Sequence, residues 1–430
     1  MYAYADLDKS QLQQEFARLT KEYDEIRSLN LSLDMTRGKP CVQQLDLAKE
    51  MLTILGTTDV RSKDGSDCRN YGVPFGIIEA RELFAEILGT TAEHVIIGNN
   101  SSLNMMFDTL MRAVVFGEAN SERPWSEIKN RKWLCPVPGY DRHFLVTEKL
   151  GFELISVPLL PTGPDMDVVE RIVASDPDVK GIWCIPVYSN PDGYVFSEET
   201  CKRLASMKTA ASDFRIFWDN AYVVHHLYNA EKSGVPDILS LCEVSGNPDR
   251  VYEFASTSKV TYAGAGISCM AANATNLSHA KKILSVQSIG PDKVNELRHA
   301  RYLPDMDAVD RVMRAQADVI RPKFEKTLAI LDEELSFSGV AQWNKPTGGY
   351  FVSLYVMPGT ATEVVSLSKA AGVALTPAGA TYPYGKDPTD SNIRIAPTFP
   401  SMDDVDKAIR VLCTCVRLSA VKKLLEEESL

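Results

Sequence analysis

No apolar run in this 430-residue chain approaches the ~20 residues needed to cross a bilayer, which argues against a helical membrane protein. The opening segment, Met1-Tyr-Ala-Tyr-Ala-Asp-Leu-Asp-Lys9, is neither a charged-then-apolar secretory signal nor an arginine-rich transit segment, so the chain is expected in the cytoplasm. Cysteine pairing is missing as well. The 9 cysteines are odd in number and unpatterned, with no Cys-x-x-Cys, so neither a disulfide framework nor a metal site is indicated. Cys413 and Cys415 fall in a helical pattern and read as core or surface thiols. Basic stretches interleaved with aromatic residues are absent, and a formal charge of −11 argues against a nucleic-acid surface. Neither an internal repeat nor a low-complexity tract breaks the chain.

What is present is ample apolar material, 45% of residues, enough for a large core in two domains or one domain with a lobed extension. Leu12, Phe16, Leu19, Tyr23 and Ile26 recur at helical spacing and mark an amphipathic opening helix that packs on the body or on a partner subunit. From about residue 75 to 275, helices alternate with short apolar runs: Val95–Ile97, Trp133–Cys135, Leu154–Val157, Gly181–Val187, Ile216–Trp218, Val251–Phe254 and Ser268–Met270. Strands buried on both faces read this way, and their alternation with helices predicts an α/β fold with a mostly parallel central sheet. A long helix is expected from about Asp305 to Leu335, followed by a strand over Gly349–Tyr355 and a helix near 362–371. A strand carrying Arg394 and a final helix opened by a Ser401–Asp404 capping box complete the chain. The expected division is a segment 1–55 joining the small domain, a large domain 56–310, and a smaller α+β domain 311–430.

The most informative residue is Lys259, which follows the apolar run ending at Phe254 and lies among Ser256, Thr257 and Ser258. Upstream, Asn190 follows the run Ile182–Val187, and Asp219 ends the run Ile216–Trp218 just before Tyr222. Successive parallel strands converge on one crevice outside their carboxyl ends. A pyridine aldehyde lying there would use a carboxylate for its ring nitrogen, donors for its phenolic oxygen and a lysine for its aldehyde carbon. Asp219, the pair Asn190 and Tyr222, and Lys259 suit these needs in turn. Its phosphate would use a helix start, and Val95-Ile-Ile-Gly98-Asn-Asn100-Ser101-Ser102 passes from strand to helix through small polar residues. Asn and Ser also serve as ordinary helix caps, the plainer reading of that segment taken alone.

These segments, with Leu33–Pro40, Tyr71–Gly76, Pro136–His143 and Asn392–Ile395, give the chain its resemblance to the fold-type I pyridoxal-phosphate aminotransferases, and more narrowly to the aspartate aminotransferases of subgroup Ic. The resemblance runs through nearly the whole chain. It implies Lys259 as the Schiff-base lysine and Asp219 as partner of the pyridine nitrogen. It places Asn190 and Tyr222 on the phenolic oxygen, and Asn100, Ser101, Ser102, Ser256 and Ser258 near the phosphate. Arg394 matches the arginine that grips the substrate α-carboxylate, a task suited to a bidentate fork. Gly38 matches a glycine close to that carboxylate, and Arg37 lies beside it. Tyr71 matches a tyrosine reaching the neighbouring subunit's phosphate, which implies a homodimer with shared active sites.

Two departures stand out. Many relatives carry an arginine about eight residues after the lysine, whereas Val260–Ile267 contains none. Val137 stands where relatives usually stack an aromatic ring on the pyridine; either the nearby Tyr140 replaces it or the valine itself packs on the ring face. The implied activity is transamination between an amino acid, foremost aspartate, and 2-oxoglutarate by a ping-pong mechanism. Alanine, 2-aminoadipate or aromatic substrates, a lyase with the same cofactor, and a non-catalytic effector-sensing module are the alternatives. Candidate readers of a second carboxylate are Arg37, Lys39, Arg142, His143, Arg298 and Arg301, with the other subunit as a second source.

Overall fold

The computed structural model describes residues 3–428. Its thirteen strands are β1 Leu33–Asp34, β2 Val95–Gly98, β3 Lys132–Val137, β4 Glu153–Leu160, β5 Gly163–Pro164, β6 Val179–Cys184, β7 Arg215–Asp219, β8 Val251–Ser256, β9 Ser268–Ala271, β10 Ala341–Trp343, β11 Val352–Val356, β12 Val373–Ala374 and β13 Asn392–Ile395. Eight form one sheet in the order β2-β9-β8-β7-β6-β3-β4-β5. The pairs from β4 through β3, β6 and β7 to β8 are parallel, while β9 runs antiparallel to both β8 and β2. All seven apolar runs read as strands contribute to this sheet, Gly181–Val187 only as far as Cys184.

Both faces of the sheet are covered, and period-two alternation shows how. Ile182 and Cys184 of β6, with Ile216 and Trp218 of β7, pack on one face among Phe84, Val169 and Leu204 from three helices. Trp183 and Phe217, the residues between them, pack on the other face with Met106 and Leu110 of the helix Ser102–Phe116. Because β2, β3, β6, β7 and β8 all point the same way, their carboxyl ends open on one edge.

A second core gathers around the antiparallel sheet β10-β11-β13 and the helices Met306–Leu335 and Met402–Glu427. The opening helix Lys9–Ser28 joins this core through Leu12, Leu19 and Tyr23, so its apolar stripe packs on the body of its own chain. Glu22 fixes the contact by accepting from Thr414 Oγ1 at 2.7 Å and from Arg417 Nη2 at 3.1 Å. Residues 33–34 pair in parallel with 373–374, which brings the segment around Gly38 beside the C-terminal lobe. Among the described residues, no helix is long and apolar enough to cross a membrane.

Three local expectations are corrected. The strand expected over Gly349–Tyr355 starts at Val352, because Gly349, at φ 81°, turns against Tyr188 first. The run Gly181–Val187 leaves the sheet after Cys184 and bends toward Asn190. Ser401 caps its helix by accepting from the Asp404 amide, but the Asp404 carboxylate accepts from the serine hydroxyl instead of completing a capping box. An aspartate is a methylene shorter than the glutamate that usually reaches back.

Candidate active site

The strand ends and the C-terminal lobe enclose a cavity of about 540 Å³. Four elements supply its floor. β7 ends at Asp219 and leads to Ala221 and Tyr222; β8 ends at Ser256 and leads to Ser258 and Lys259; the turn after β6 delivers Asn190; and the turn after β3 delivers Tyr140. Ser101 and Ser102 close one end at the start of the helix Ser102–Phe116. Gly38, Arg37, Phe351, Thr376 and Arg394 face them from the other lobe.

Asp219 is buried, and its two oxygens differ. Oδ2 accepts from His143 Nε2 at 3.0 Å, and since a carboxylate can only accept, that nitrogen carries the hydrogen. Among the described residues Oδ1 has no partner, although the residue lines the cavity. A buried carboxylate oxygen is expensive to leave unpaired, so Oδ1 marks the place of a donor that the chain itself does not supply. His143 is held in turn by stacking on Trp183, with ring centroids 4.2 Å apart and planes 12° from parallel.

The Lys259 amine sits 4.9 Å from the centre of the Tyr222 ring and 5.9 Å from that of Tyr350. Burial lowers its pKa, against the opposing pull of the Asp219 carboxylate, which leaves more of the amine neutral and nucleophilic. Burial likewise pushes the Tyr222 phenol well above its ordinary value, keeping it a donor, and raises Tyr140 to about 12. His225, beside Tyr222 and Tyr350, is pushed down to about 3, again by burial, and is a neutral wall. Arg394 stands over the Phe351 ring at 4.9 Å, with Nη1 donating to Asp141 and to Asn190 and Nη2 to Thr376.

At the helix start, Ser101 is the N-cap residue, and its side chain makes no cap bond. Ser258 Oγ donates instead to the Asn100 carbonyl at 3.0 Å and receives a bond from Ser256 Oγ at 3.1 Å. Free first-turn amides, the positive end of the helix dipole and a set of hydroxyls form a cradle for an anion. The segment after Lys259 offers no cation. A side chain at Gly266 would meet the Ser258 amide at 3.2 Å, and Thr261 is spent on His299.

The structure thus brings Lys259, Asp219, Tyr222, Asn190, Tyr140, Ser101, Ser102, Ser256, Ser258, Gly38, Arg37 and Arg394 to one cavity. Asn100 stands behind it, acting through its carbonyl. Tyr71 lies outside and is 81% exposed. Tyr140, and not Val137, lines the cavity. Gly38 is required by packing as well, since a Cβ there would meet the Phe351 ring at 2.6 Å. Of the candidate carboxylate readers, Arg37, Lys39 and Arg142 line the cavity, whereas Arg298 and Arg301 do not, and Arg301 pairs with Asp59. His143 is corrected: it is buried as the partner of Asp219 and is unavailable to a substrate side chain. Asp141, Phe351 and Thr376 were not singled out from sequence. Asp141 falls inside the segment Pro136–His143, but nothing local ties it to an arginine 253 positions away.

Residues 7–428 match the family model described as aspartate amino-transferase. The chain belongs to that family. It is 49% identical to an aspartate aminotransferase of Corynebacterium glutamicum over 94% of this chain and 93% of that one. It superposes on the crystal structure of an aspartate transaminase from the same organism with a TM-score of 0.96 at 48% identity, covering 98% and 99% of the two chains. An α-aminoadipate aminotransferase of Thermus thermophilus, complexed with N-(5'-phosphopyridoxyl)-L-leucine, shares the fold at a TM-score of 0.72 and 20% identity, over 91% and 93% of the chains. The chain is therefore a fold-type I aminotransferase, a family whose cofactor is pyridoxal phosphate.

Proposed function

We propose that the chain transfers the amino group between aspartate and 2-oxoglutarate, with pyridoxal phosphate bound between Asp219, Lys259 and the Ser101–Ser102 helix start. The observation that carries this reading is the unpaired Asp219 Oδ1 in a cavity that also holds a lowered-pKa lysine and a buried guanidinium. Asp219 Oδ1 would accept from the protonated pyridine nitrogen of the bound cofactor. Asn190 and Tyr222 would serve its phenolic oxygen, Tyr140 would pack on its ring, and the amides and hydroxyls around Ser101, Ser102, Ser256 and Ser258 would hold its phosphate without a guanidinium. When bound, the cofactor supplies an electron sink for charge developing at the substrate Cα.

Lys259 holds the cofactor through its amine and, once released, moves the proton at Cα as a general base. Its lowered pKa suits both tasks, because the neutral amine is the reactive form in each. Arg394 fixes the α-carboxylate and thereby decides which bond at Cα faces the ring. Among the described residues the cavity has one such buried anchor, so the first oxo acid must leave before the second enters, and the kinetics are ping-pong. Arg142 and Arg37, exposed at the rim, read the second carboxylate shared by aspartate and 2-oxoglutarate. Tyr71 reaches the phosphate of a second copy, making the enzyme a homodimer. In support, it is exposed together with Val286 and Ile289, at 88% and 64%.

A half-reaction screen tests the reading. Each amino acid in turn is added to the cofactor-loaded enzyme without an acceptor, and the visible cofactor band is followed. Aspartate and glutamate are expected to bleach the band fastest; preference for an uncharged amino acid overturns the substrate assignment. Lys259→Ala should lose the band and at least about 10⁴-fold in turnover, the upper range of general-base catalysis. An unchanged spectrum and rate would remove Lys259 from the site.

A further inference from the structure

The guanidinium of Arg394 already has an anion on it. Nη1 donates to Asp141 Oδ1 at 2.9 Å and to Asn190 Oδ1 at 3.3 Å, and Nη2 donates to Thr376 Oγ1 at 3.4 Å. Asn190 and Thr376 are neutral, and with the Phe351 ring at 4.9 Å they hold the side chain from several directions. Asp141 adds to this set a full negative charge, on a side chain that is 25% exposed against 6% for Arg394. It is also the first residue of the helix Asp141–Lys149, where the positive end of the helix dipole favours a carboxylate whether or not the arginine is near.

A guanidinium buried without a counter-ion is costly, and a resting site needs something to neutralise it. A ligand carboxylate needs the same N–H groups. We propose that Asp141 is the displaceable counter-ion of Arg394: it occupies in the resting site the position taken by the α-carboxylate of an amino acid or oxo acid, and so sets affinity for carboxylate ligands by competition. The proposal rests on the reading of Arg394 as the α-carboxylate anchor. The exchange conserves charge at the guanidinium, one carboxylate arriving as the other turns to solvent over the helix start. It also adds selectivity, since an amine or amide without a carboxylate leaves the ion pair intact and finds no anchor.

The test titrates succinate, a dicarboxylate without an amine, into the full-length cofactor-loaded enzyme by calorimetry, alongside KM and kcat for the amino-acid substrate. Asp141→Asn should tighten succinate by about five- to tenfold at low salt, raise kcat/KM, and lose this advantage as salt screens the removed charge. Asp141→Glu, which keeps the charge, should remain near the unsubstituted enzyme. A residue that merely positions Arg394 would give the opposite sign, with weaker succinate binding and a higher KM in Asp141→Asn, and that result overturns the proposal, as does no change. Arg394→Gln separates the two readings. If it weakens succinate while Asp141→Asn fails to tighten it, the anchor stands and the counter-ion falls; if it leaves succinate binding unaltered, both fall.

Discussion

The floor and the rim of the cavity are built on different terms. On the floor, Asp219, His143, Tyr222 and Asn190 are all buried, and each is fixed by the end of a strand, a ring stack or a hydrogen bond. At the rim, Arg37, Lys39 and Arg142 are exposed on long side chains, and Lys39 divides itself between Asp34 at 3.9 Å and the Phe399 ring at 3.8 Å. Charges on the floor act through a weakly screening interior, whereas those at the rim act through water and salt. On the proposed function, reaction type is therefore carried by rigid, low-tolerance groups, and substrate choice by groups that can be exchanged at modest cost. A floor substitution with a small effect, or a rim substitution with a large one, would break this division.

After Lys259, the largest effect within the division is expected at Asp219. Asp219→Ala removes the charge proposed to face the ring nitrogen and should lower kcat by about 10³-fold, the scale on which such electrostatic groups act. A loss below tenfold would remove it from the chemistry. His143→Phe keeps a ring against Trp183 but leaves both Asp219 oxygens without a donor from the chain. Stranding a buried charged acceptor costs about 1.5–3 kcal/mol, so turnover should fall roughly 10- to 100-fold, with a shift in the visible band of the bound cofactor. A purely structural histidine would lower thermal stability and leave the band unmoved. At the rim, Arg142→Gln and Arg37→Gln should each raise KM for aspartate by about fivefold and leave alanine unaffected, as expected for exposed ion pairs. Equal losses for both substrates would mean that neither arginine reads the side chain.

The floor was more legible in the sequence than the rim, for a physical reason. Strands buried on both faces must be continuous apolar runs, so β2, β3, β6, β7, β8 and β9 announce themselves, and a polar residue ending such a run is placed at the sheet's edge by the fold alone. Asp219 and Lys259 could be read in that way. Strands such as β5, which is Gly163–Pro164, and β12, which is Val373–Ala374, carry too few residues to leave a pattern. His143 was visible as a residue of a motif, but its task depends on a contact with Asp219, 76 positions away, that no local spacing encodes. The pairing of Asp141 with Arg394 was hidden in the same way. Rim arginines have no burial signature at all, which is why Arg298 and Arg301 stood beside Arg37 and Arg142 as equals until the structure placed them away from the cavity.

Glu296 sharpens the contrast from outside the site. Like Asp219 it is a buried carboxylate with one satisfied oxygen, Oε2 accepting from the Ile77 amide at 2.7 Å, and one oxygen without a partner. Unlike Asp219 it does not line the cavity. Burial raises its carboxyl to about 7 from the usual 4.5, and Asp192, accepting from Tyr355 beside the Asn190 turn, is raised to about 6 from 3.8 in the same way. The native state thus holds protons that the unfolded chain has released. Stability from these groups is fully present below pH ~4 and declines as pH rises through 6 and 7. A glutamine imitates the protonated Glu296, keeping an acceptor for Ile77. Glu296→Gln should therefore melt with the unsubstituted protein at pH 5 and above it at pH 8. The gain should be about 1 kcal/mol, on the order of 1–2 °C for a chain of this length. Equal destabilisation at both pH values would mean that Lys293 and Arg81, which oppose the rise, hold the carboxylate ionised, and that burial outside the cavity is managed by charge pairing and not by protonation.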